Sequence, residues 1–591
     1  MNKPITTVLV CAAGLIAALS LLCTAIANTI VGYTCTAQPA ATGLLGGIGL
    51  LITGNPATLG TLPAGCTPPV LLIRIVCASV VVVLIIGCAA GWAIFNRFRQ
   101  SDMYFRHQLL YRDGFAKKPE VRKHLSRKAL TKRAPQLRPA MSQPTAADVG
   151  VQMGRSRDVD VFVSVEDSMV VSAAPRSGKG FRFVISTILD WFGPLVTTST
   201  RNDNLAATYA ERQRRGEVTV LDPQGLSGIA AKRRVSPVVG CADPLTADMR
   251  ARAIMSSSAL GRSASNQEWA GVSSGLLASL LHAAALGGGG TAALRTWGAN
   301  PALTESAIEI LNDKGAPGWG QMLEGIVKGD PELLANSWMG VREACKPLLI
   351  PQVFDALNPT SDAFDADEFL AGENTLYLIG TGSGAGASGG FLSAVLDDVV
   401  ESARRKALAS TGGRLDPPLG LVLDEIANMF SWPGLPTVLS DGGGIGIFSQ
   451  VIFQSMSQAI TVWSEAEAQT IWNAAIVKVL LGGSTDVRHM QDISNLLGHR
   501  KIIDHTRSWS EESTTQSEQR STVPVLSIDE LRRLPTGMAV LAYKNMRPAL
   551  LDAAGWTKRS DAKQIRSGKR ATEQAQLAEF RAQYEKGTSR V

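Results

Sequence analysis

The sequence predicts an α/β fold with a parallel sheet, interrupted by an all-helical insertion and preceded by two transmembrane helices. Three observations carry this prediction. No Asp, Glu, Lys or Arg occurs from Pro4 to Ile73, a length that no water-facing surface would leave uncharged. Between Val170 and Asp222, short apolar runs alternate with helix-like stretches in a βαβαβ rhythm, which calls for parallel strands joined by crossover helices. The rhythm stops near Cys241 and resumes at TLYLIG, Thr375–Gly380, with helical patterns in between.

Residues 1–96 are the membrane hairpin. Ile5 to Val31 and Ile75 to Phe95 each suffice to cross a hydrocarbon core, which takes about 20 apolar residues. A Gly/Pro/Thr-rich exterior loop with the short apolar piece LLGGIGLLI separates them. Lys3, the apolar run and Ala25-Ile26-Ala27 also fit a cleavable signal peptide, so one retained span or two remain open. Arg74 reads as a snorkelling interfacial residue. Cys35 and Cys66 fall in the exterior loop and are a candidate disulfide. The absence of any C-x-x-C pair among eight cysteines argues against a zinc site.

Residues 97–159 are a basic juxtamembrane segment and linker. Arg97 to Arg138 holds thirteen Lys or Arg against three acids, a net +10 in a chain of net +7, so the remainder carries −3. The basic character is therefore a membrane-edge feature, which places the body that follows in the cytoplasm, with nucleic-acid attraction as a second use of the same charge. Pro, Ser and Arg dominate Ala134 to Val159, which predicts a linker and a soluble fragment starting at Met153.

The α/β body follows in two parts. Residues 160–242 supply VVSAA, PLVTTST and VTVLD as strands, with a helix through the charged ERQRR. Residues 243–350 are the helical insertion, and 351–556 resume with TLYLIG, LGLVLDE, GIFSQVIFQ, AIVKVLLGG and GMAVLAY. The polar tail, 557–591, has little apolar periodicity and predicts a mobile helix or disorder.

The chemistry lies in two stretches. VVSAAPRSGKGFRF, Val170–Phe183, is a strand, a loop ending in Gly-Lys and a helix start. It approximates the phosphate loop G-x-x-x-x-G-K-[ST], but Ala173 stands at the first Gly and Gly180 at the hydroxyl. Ala174, Pro175, Arg176, Ser177, Gly178, Lys179, Gly180 and Phe181 are the candidate nucleotide-binding residues, with the N–H groups from Arg176 to Phe181 as the cradle at a helix N-terminus. LGLVLDE, Leu419–Glu425, puts two carboxylates at the carboxyl end of a buried apolar strand, where open α/β sheets bind ligands. In such a pair the first carboxylate, Asp424, holds Mg²⁺ and the second, Glu425, activates water. A protein that binds nucleotide without hydrolysing it stays open as the alternative.

With these stretches in place, the chain resembles the type IV secretion coupling proteins of the TraG/TraD kind, membrane-anchored RecA-like P-loop ATPases of conjugative DNA transfer. The matching pieces, in the family's order, are AAPRSGKG, TTSTRNDNL, VLDPQG, LVLDE, SDGGGIGI with FQSMSQ, and LRRLPTGMAVL, spanning about Ser164 to Trp556. The family itself carries Gly at the position of Gly180. The resemblance implies ATP and Mg²⁺ as cofactors, Lys179 on the β/γ-phosphates, Asp424 on the metal, Glu425 on the water and Gln454 sensing the γ-phosphate. Asp222 and Arg201, at strand ends, are active-site or turn residues. An arginine from a neighbouring subunit is expected; the Gly run DGGGIG lacks one, and Arg488 is the remaining candidate. As partners the resemblance implies DNA, a relaxase or relaxosome, type IV secretion channel components, the membrane and five further copies in a homohexamer. An FtsK-like double-stranded DNA translocase and a nucleotide-stabilised receptor for secreted proteins are the alternatives. No base-reading motif points to a sequence-specific regulator.

Overall fold

The computed structural model describes residues 5–35, 46–59, 67–258, 260–261, 266–382, 388–509 and 514–588. It divides into two compact units, 1–108 and 109–591.

In the first unit two long helices, Ile5–Cys35 and Val70–Arg99, flank a short one, Gly46–Thr53. Cys23, Ala27 and Val31 of the first pack on Leu50 of the short helix and on Ile73 and Cys77 of the last. The outward side of Val70–Arg99 leaves Leu71, Val83, Ile86 and Trp92 exposed, the pattern of a helix whose solvent is lipid. Both helices are long and apolar enough to cross a membrane. A third helix meets the same criterion, Gln267–Leu286, but 67 % of it is buried within the second unit, so its apolarity serves a protein core. The Cys66 partner in the expected disulfide lies outside the described residues, as does the Cys35 side chain.

The second unit is built on an eleven-stranded sheet. Its strands are β1 Gly150–Ser156, β2 Val159–Ser164, β3 Met169–Ser172, β4 Leu195–Ser199, β5 Val218–Leu221, β6 Thr375–Ile379, β7 Leu419–Asp424, β8 Ile447–Phe453 and β9 Val477–Leu481, then β12 Met538–Tyr543 and β13 Ala549–Asp552. A separate hairpin pairs β10 His499–Trp509 with β11 Thr514–Pro524. The order is β2-β1-β13-β12-β9-β3-β8-β7-β4-β6-β5. The block from β9 to β5 is parallel throughout, and the other pairings are antiparallel. β3, β4, β5, β6, β7 and β8 are buried along their whole lengths, as strands covered by helices on both faces must be. This is the α/β fold with a parallel sheet that the sequence predicts.

Between β5 and β6 the described chain is helical, from Pro244–Ser256 to Ala366–Phe369. The helices run past Ile350 because Pro351 opens one more turn and Asp365 caps the last, its carboxylate accepting from the Glu368 N–H at 2.8 Å.

Two expectations need correction. The stretch Ala134–Val159 is no plain linker: it holds the end of the helix Arg127–Leu137 and all of β1, and Met153 sits inside β1, so a fragment starting there would lose part of the sheet. The strand is masked by its glycines. Gly154, at φ +133°, marks a bulge where a Cβ would stand 2.5 Å from the Asp552 carbonyl oxygen, so the close approach of β13 requires glycine there. The polar tail is a docked helix, Ala562–Thr588. Ile565 joins Ile185, Leu189, Ala207 and Trp556 in a small core, and Gln576 donates to the Ser227 carbonyl at 2.6 Å. Its contact with the helix Asp203–Gln213 runs through small and polar residues, Gly568 against Ala210 and Gln564 to Glu211 at 2.7 Å, which is why apolar periodicity did not reveal it.

Candidate functional site

Four neighbouring parallel strands deliver the site. In sheet order β3-β8-β7-β4, β3 runs into the Lys179 loop, β8 leads to Gln454, β7 ends at Asp424 with Glu425 next, and β4 leads to Thr200 and Asn204. All are carboxyl ends, and at the register Asp424↔Ile452 and Ser172↔Phe453 they lie side by side.

The loop is pinned at its base, where the Ala173 N–H donates to the Phe453 carbonyl of β8 at 3.0 Å. It reverses through Arg176 at φ +62° and Gly178 at φ +90°. The first is a strained conformation for a long side chain, the kind of strain that gathers at ligand sites. Lys179 then opens the helical turn Gly180–Val184, which continues into Ile185–Asp190. Ala174 is buried, Pro175 and Arg176 are exposed, and the Ser177 hydroxyl has no hydrogen-bond partner among the described residues. Phe181 lies edge-on to Trp556 at 6.1 Å.

Lys179 is the centre of the cluster. Its Nζ lies 3.0 Å from Asp424 Oδ1 and 3.1 Å from Glu425 Oε1. The far side of each carboxylate is also held: Asn204 Nδ2 donates to Asp424 Oδ2 at 2.8 Å, and the Thr200 hydroxyl donates to Glu425 Oε2. Gln454 Nε2 reaches Glu425 Oε1 at 3.4 Å, and the Gln454 N–H is held by Gln458, itself bonded to Asn428. The Thr198 hydroxyl donates to the Asp424 carbonyl at 2.8 Å, and Glu425 takes a left-handed φ of +55°, so the backbone turns sharply between the two acids.

The environments push the two carboxyls apart. Burial raises that of Asp424, against the opposing pull of Lys179. Burial also acts to raise that of Glu425, but the Thr200 hydroxyl and the Lys179 ammonium outweigh it and hold it below the usual carboxylate range. Glu425 is thus the more acidic member of the pair. Asp424, Asn204 and Thr200 are hard oxygen donors of the type Mg²⁺ takes, and Asp424 already faces a cation in Lys179.

The remaining predicted residues sit apart from this cluster. Asp222 holds its own turn, Oδ2 accepting from the Ser227 N–H at 2.5 Å, two strands away from β4. The Arg201 side chain is largely exposed and pairs with Asp203 at 3.7 Å, though its charge adds to the lowering at Glu425. Arg488 is on an outer helix beside Glu465 at 3.4 Å. Thr200 and Asn204 were not singled out in the sequence, although both lie in TTSTRNDNL; their only signal was to follow a strand that the sheet order places beside β7.

Two family models match the chain. Residues 111–288 match Type IV secretory system Conjugative DNA transfer, and 418–536 match TraM recognition site of TraD and TraG. No curated protein matches. Among solved structures, the unbound bacterial conjugative coupling protein TrwBdeltaN70 is 17% identical over 73% of this chain and 92% of its own, at a TM-score of 0.49. TrwB in complex with ADP and Mg²⁺ is 19% identical over 68% and 89%, at 0.49, and VirB4 of Thermoanaerobacter pseudethanolicus 13% over 69% and 96%, at 0.34. One model takes in β1 to β5 with the Lys179 loop and the other β7 to β11 with the paired acids, and on these two matches the chain belongs to the type IV secretion coupling proteins.

Proposed function

We propose that this chain is a membrane-anchored ATPase that drives DNA, with its attached relaxase, into a type IV secretion channel. The observation that carries the reaction is the Lys179 ammonium shared between Asp424 and Glu425 at 3.0 and 3.1 Å. A cation so placed has two sets of partners to choose from, these carboxylates or the β/γ-phosphates of a nucleotide in the loop. When Lys179 turns to phosphate, Glu425 loses a counter-charge and becomes more basic. Thr200 and Gln454 keep it oriented, so it gains basicity where an attacking water needs it. Asp424, buried and fixed by Asn204, stays as the charge on the metal side. Asp424 would hold Mg²⁺, which would supply positive charge against that developing on the transferred phosphate. Nucleotide hydrolysis thus falls to Lys179, Asp424, Glu425 and Gln454, with the N–H groups of Arg176 to Phe181 as the phosphate cradle.

The family supports the cargo: conjugative DNA transfer for residues 111–288 and a relaxosome-protein recognition region for 418–536. The two N-terminal helices and the basic run Arg97–Arg138 support a multi-pass anchor in the cell membrane with the sheet on its cytoplasmic side. The working form is a homohexamer whose arginine finger comes from the neighbouring subunit.

The test is ATP hydrolysis by the full chain in detergent, with and without single- and double-stranded DNA. DNA-stimulated turnover is expected, with Lys179→Ala and Glu425→Gln each at least about 100-fold slower. Stimulation by duplex alone would favour an FtsK-like translocase. Turnover unchanged in Glu425→Gln would sink the assignment of the base, and DNA transfer intact in that variant would favour a receptor that nucleotide merely stabilises.

A further inference from the structure

The loop lacks the hydroxyl that a Ser or Thr at position 180 would offer to the metal, and the structure shows what occupies that space. A Cβ built on Gly180 would stand 3.0 Å from Asn204 Oδ1, with the rest of the amide behind it at 4.0 Å. The carbonyl oxygen of a residue on another element therefore lies beside backbone position 180, where a hydroxyl side chain would begin.

The amide is oriented. Asn204 Nδ2 donates to Asp424 Oδ2 at 2.8 Å, and the reverse orientation would press oxygen against a carboxylate, so Oδ1 must point to the Gly180 side. The residue is 5 % exposed, yet its Oδ1 accepts no hydrogen bond from any described residue. Its position as the second residue of the helix Asp203–Gln213 gives it a rigid base.

We propose that Asn204 Oδ1 serves as the metal-shell oxygen that Gly180 cannot supply, holding, directly or through one water, the divalent cation that accompanies a bound nucleotide. The proposal rests on the nucleotide site proposed above. It also bears on the glycine: a side chain at 180 would press on this amide, which would have to give by a few tenths of an ångström, so a hydroxyl at 180 and the Asn204 amide compete for one place.

The test uses the full chain in detergent and a fluorescent ADP analogue, titrated with Mg²⁺ and, as an independent probe, with Mn²⁺ followed by electron paramagnetic resonance. The readouts are the ratio of nucleotide affinity with and without metal, and the metal concentration at half-saturation. Asn204→Ala is expected to lower the ratio and raise the metal midpoint at least tenfold. Gly180→Ser added to Asn204→Ala should recover most of the loss, since the alanine vacates the space the hydroxyl needs. Asn204→Asp separates ligation from support. It keeps an oxygen and cannot donate to Asp424, so retained or tighter metal binding is expected, whereas a residue that only positioned Asp424 would fail as alanine does. An unchanged midpoint in Asn204→Ala, or failure of Asn204→Asp with no rescue by Gly180→Ser, overturns the proposal. Wild-type chain that binds no nucleotide would overturn the site itself. Wild-type binding abolished by Lys179→Ala, with the metal midpoint of Asn204→Ala unmoved, would overturn the role of Asn204 alone.

Discussion

One helix, Asp203–Gln213, touches both edges of the parallel sheet, and a buried cation sits at each. At the carboxyl edge Lys179 faces two carboxylates. At the opposite edge Arg212, with no exposed surface, donates to the Thr375 hydroxyl at 2.7 Å and to the carbonyls of Trp191, Gly193 and Glu373 at 2.6, 3.1 and 3.0 Å. Asn204 and Arg212 are eight positions apart on this helix, about 12 Å of rise. The difference lies in the partners. Carboxylates can take up a proton when a cation leaves them; backbone carbonyls cannot. The first arrangement is therefore exchangeable and the second is a fastener, joining the segments before β4 and β6. Burial brings the Arg212 guanidinium down only to about 10, so it remains charged at neutral pH.

The largest effect should separate the two by function. Lys179→Ala is expected to abolish nucleotide binding while costing less folding stability than loss of Arg212, because Asp424 can protonate once its counter-ion is gone. Arg212→Leu should cost about 3–5 kcal/mol, since it removes the donor to the Thr375 hydroxyl and to the Gly193 and Glu373 carbonyls, while Arg215 still donates to the Trp191 carbonyl, and should leave the nucleotide affinity of the folded fraction unchanged. Arg212→Lys should recover only part of this, a single ammonium being unable to reproduce the fork. Urea unfolding of the full chain alongside nucleotide titration measures both. Equal stability losses in Lys179→Ala and Arg212→Leu would break the comparison.

A finer cut falls within the exchangeable site. Thr200→Val removes the hydroxyl that does most to hold the Glu425 carboxyl low, so that carboxyl should rise. If ionised Glu425 is the base, the acid limb of the rate profile moves to higher pH, with the loss of rate largest at low pH and smallest above it. A uniform loss across pH would make Thr200 a packing residue only.

How much of this contrast was visible beforehand follows from the same physics. The parallel strands were legible because burial on both faces leaves a uniformly apolar run, as in LGLVLD. Gly-Lys and Asp-Glu were legible because they end such runs. Arg212 was not, since ERQRR reads as a charged helix face and nothing local tells which arginine turns inward. Asn204 was hidden for the same reason: its meaning comes from Gly180 and Asp424, both distant in sequence. β1 was lost to the glycines its neighbours require, and β10 and β11 to strands of polar residues without apolar alternation.

The smallest expected effect concerns a buried charge of a third kind. Asp397, on the helix Gly389–Leu408, accepts from the Trp432 indole N–H at 2.7 Å. Burial pushes its carboxyl up to about 6, with the indole hydrogen bond pulling the other way. Here neither a full set of partners, as for Arg212, nor an opposite charge in direct contact, as for Lys179, sustains the ion. The native state then holds its proton more tightly than the unfolded chain does. Its contribution to stability is present below about pH 4 and is lost as the pH rises to about 6. Asp397→Asn keeps an oxygen for Trp432 and carries no charge. The variant should therefore come closest to the wild type at about pH 3.5 and exceed it by about 3 kcal/mol at pH 7.5. The same gain at both pH values would mean that the substitution acts through packing, and a loss at pH 7.5 would mean that the nearby Arg250 and Arg404 stabilise the ion more than burial opposes it.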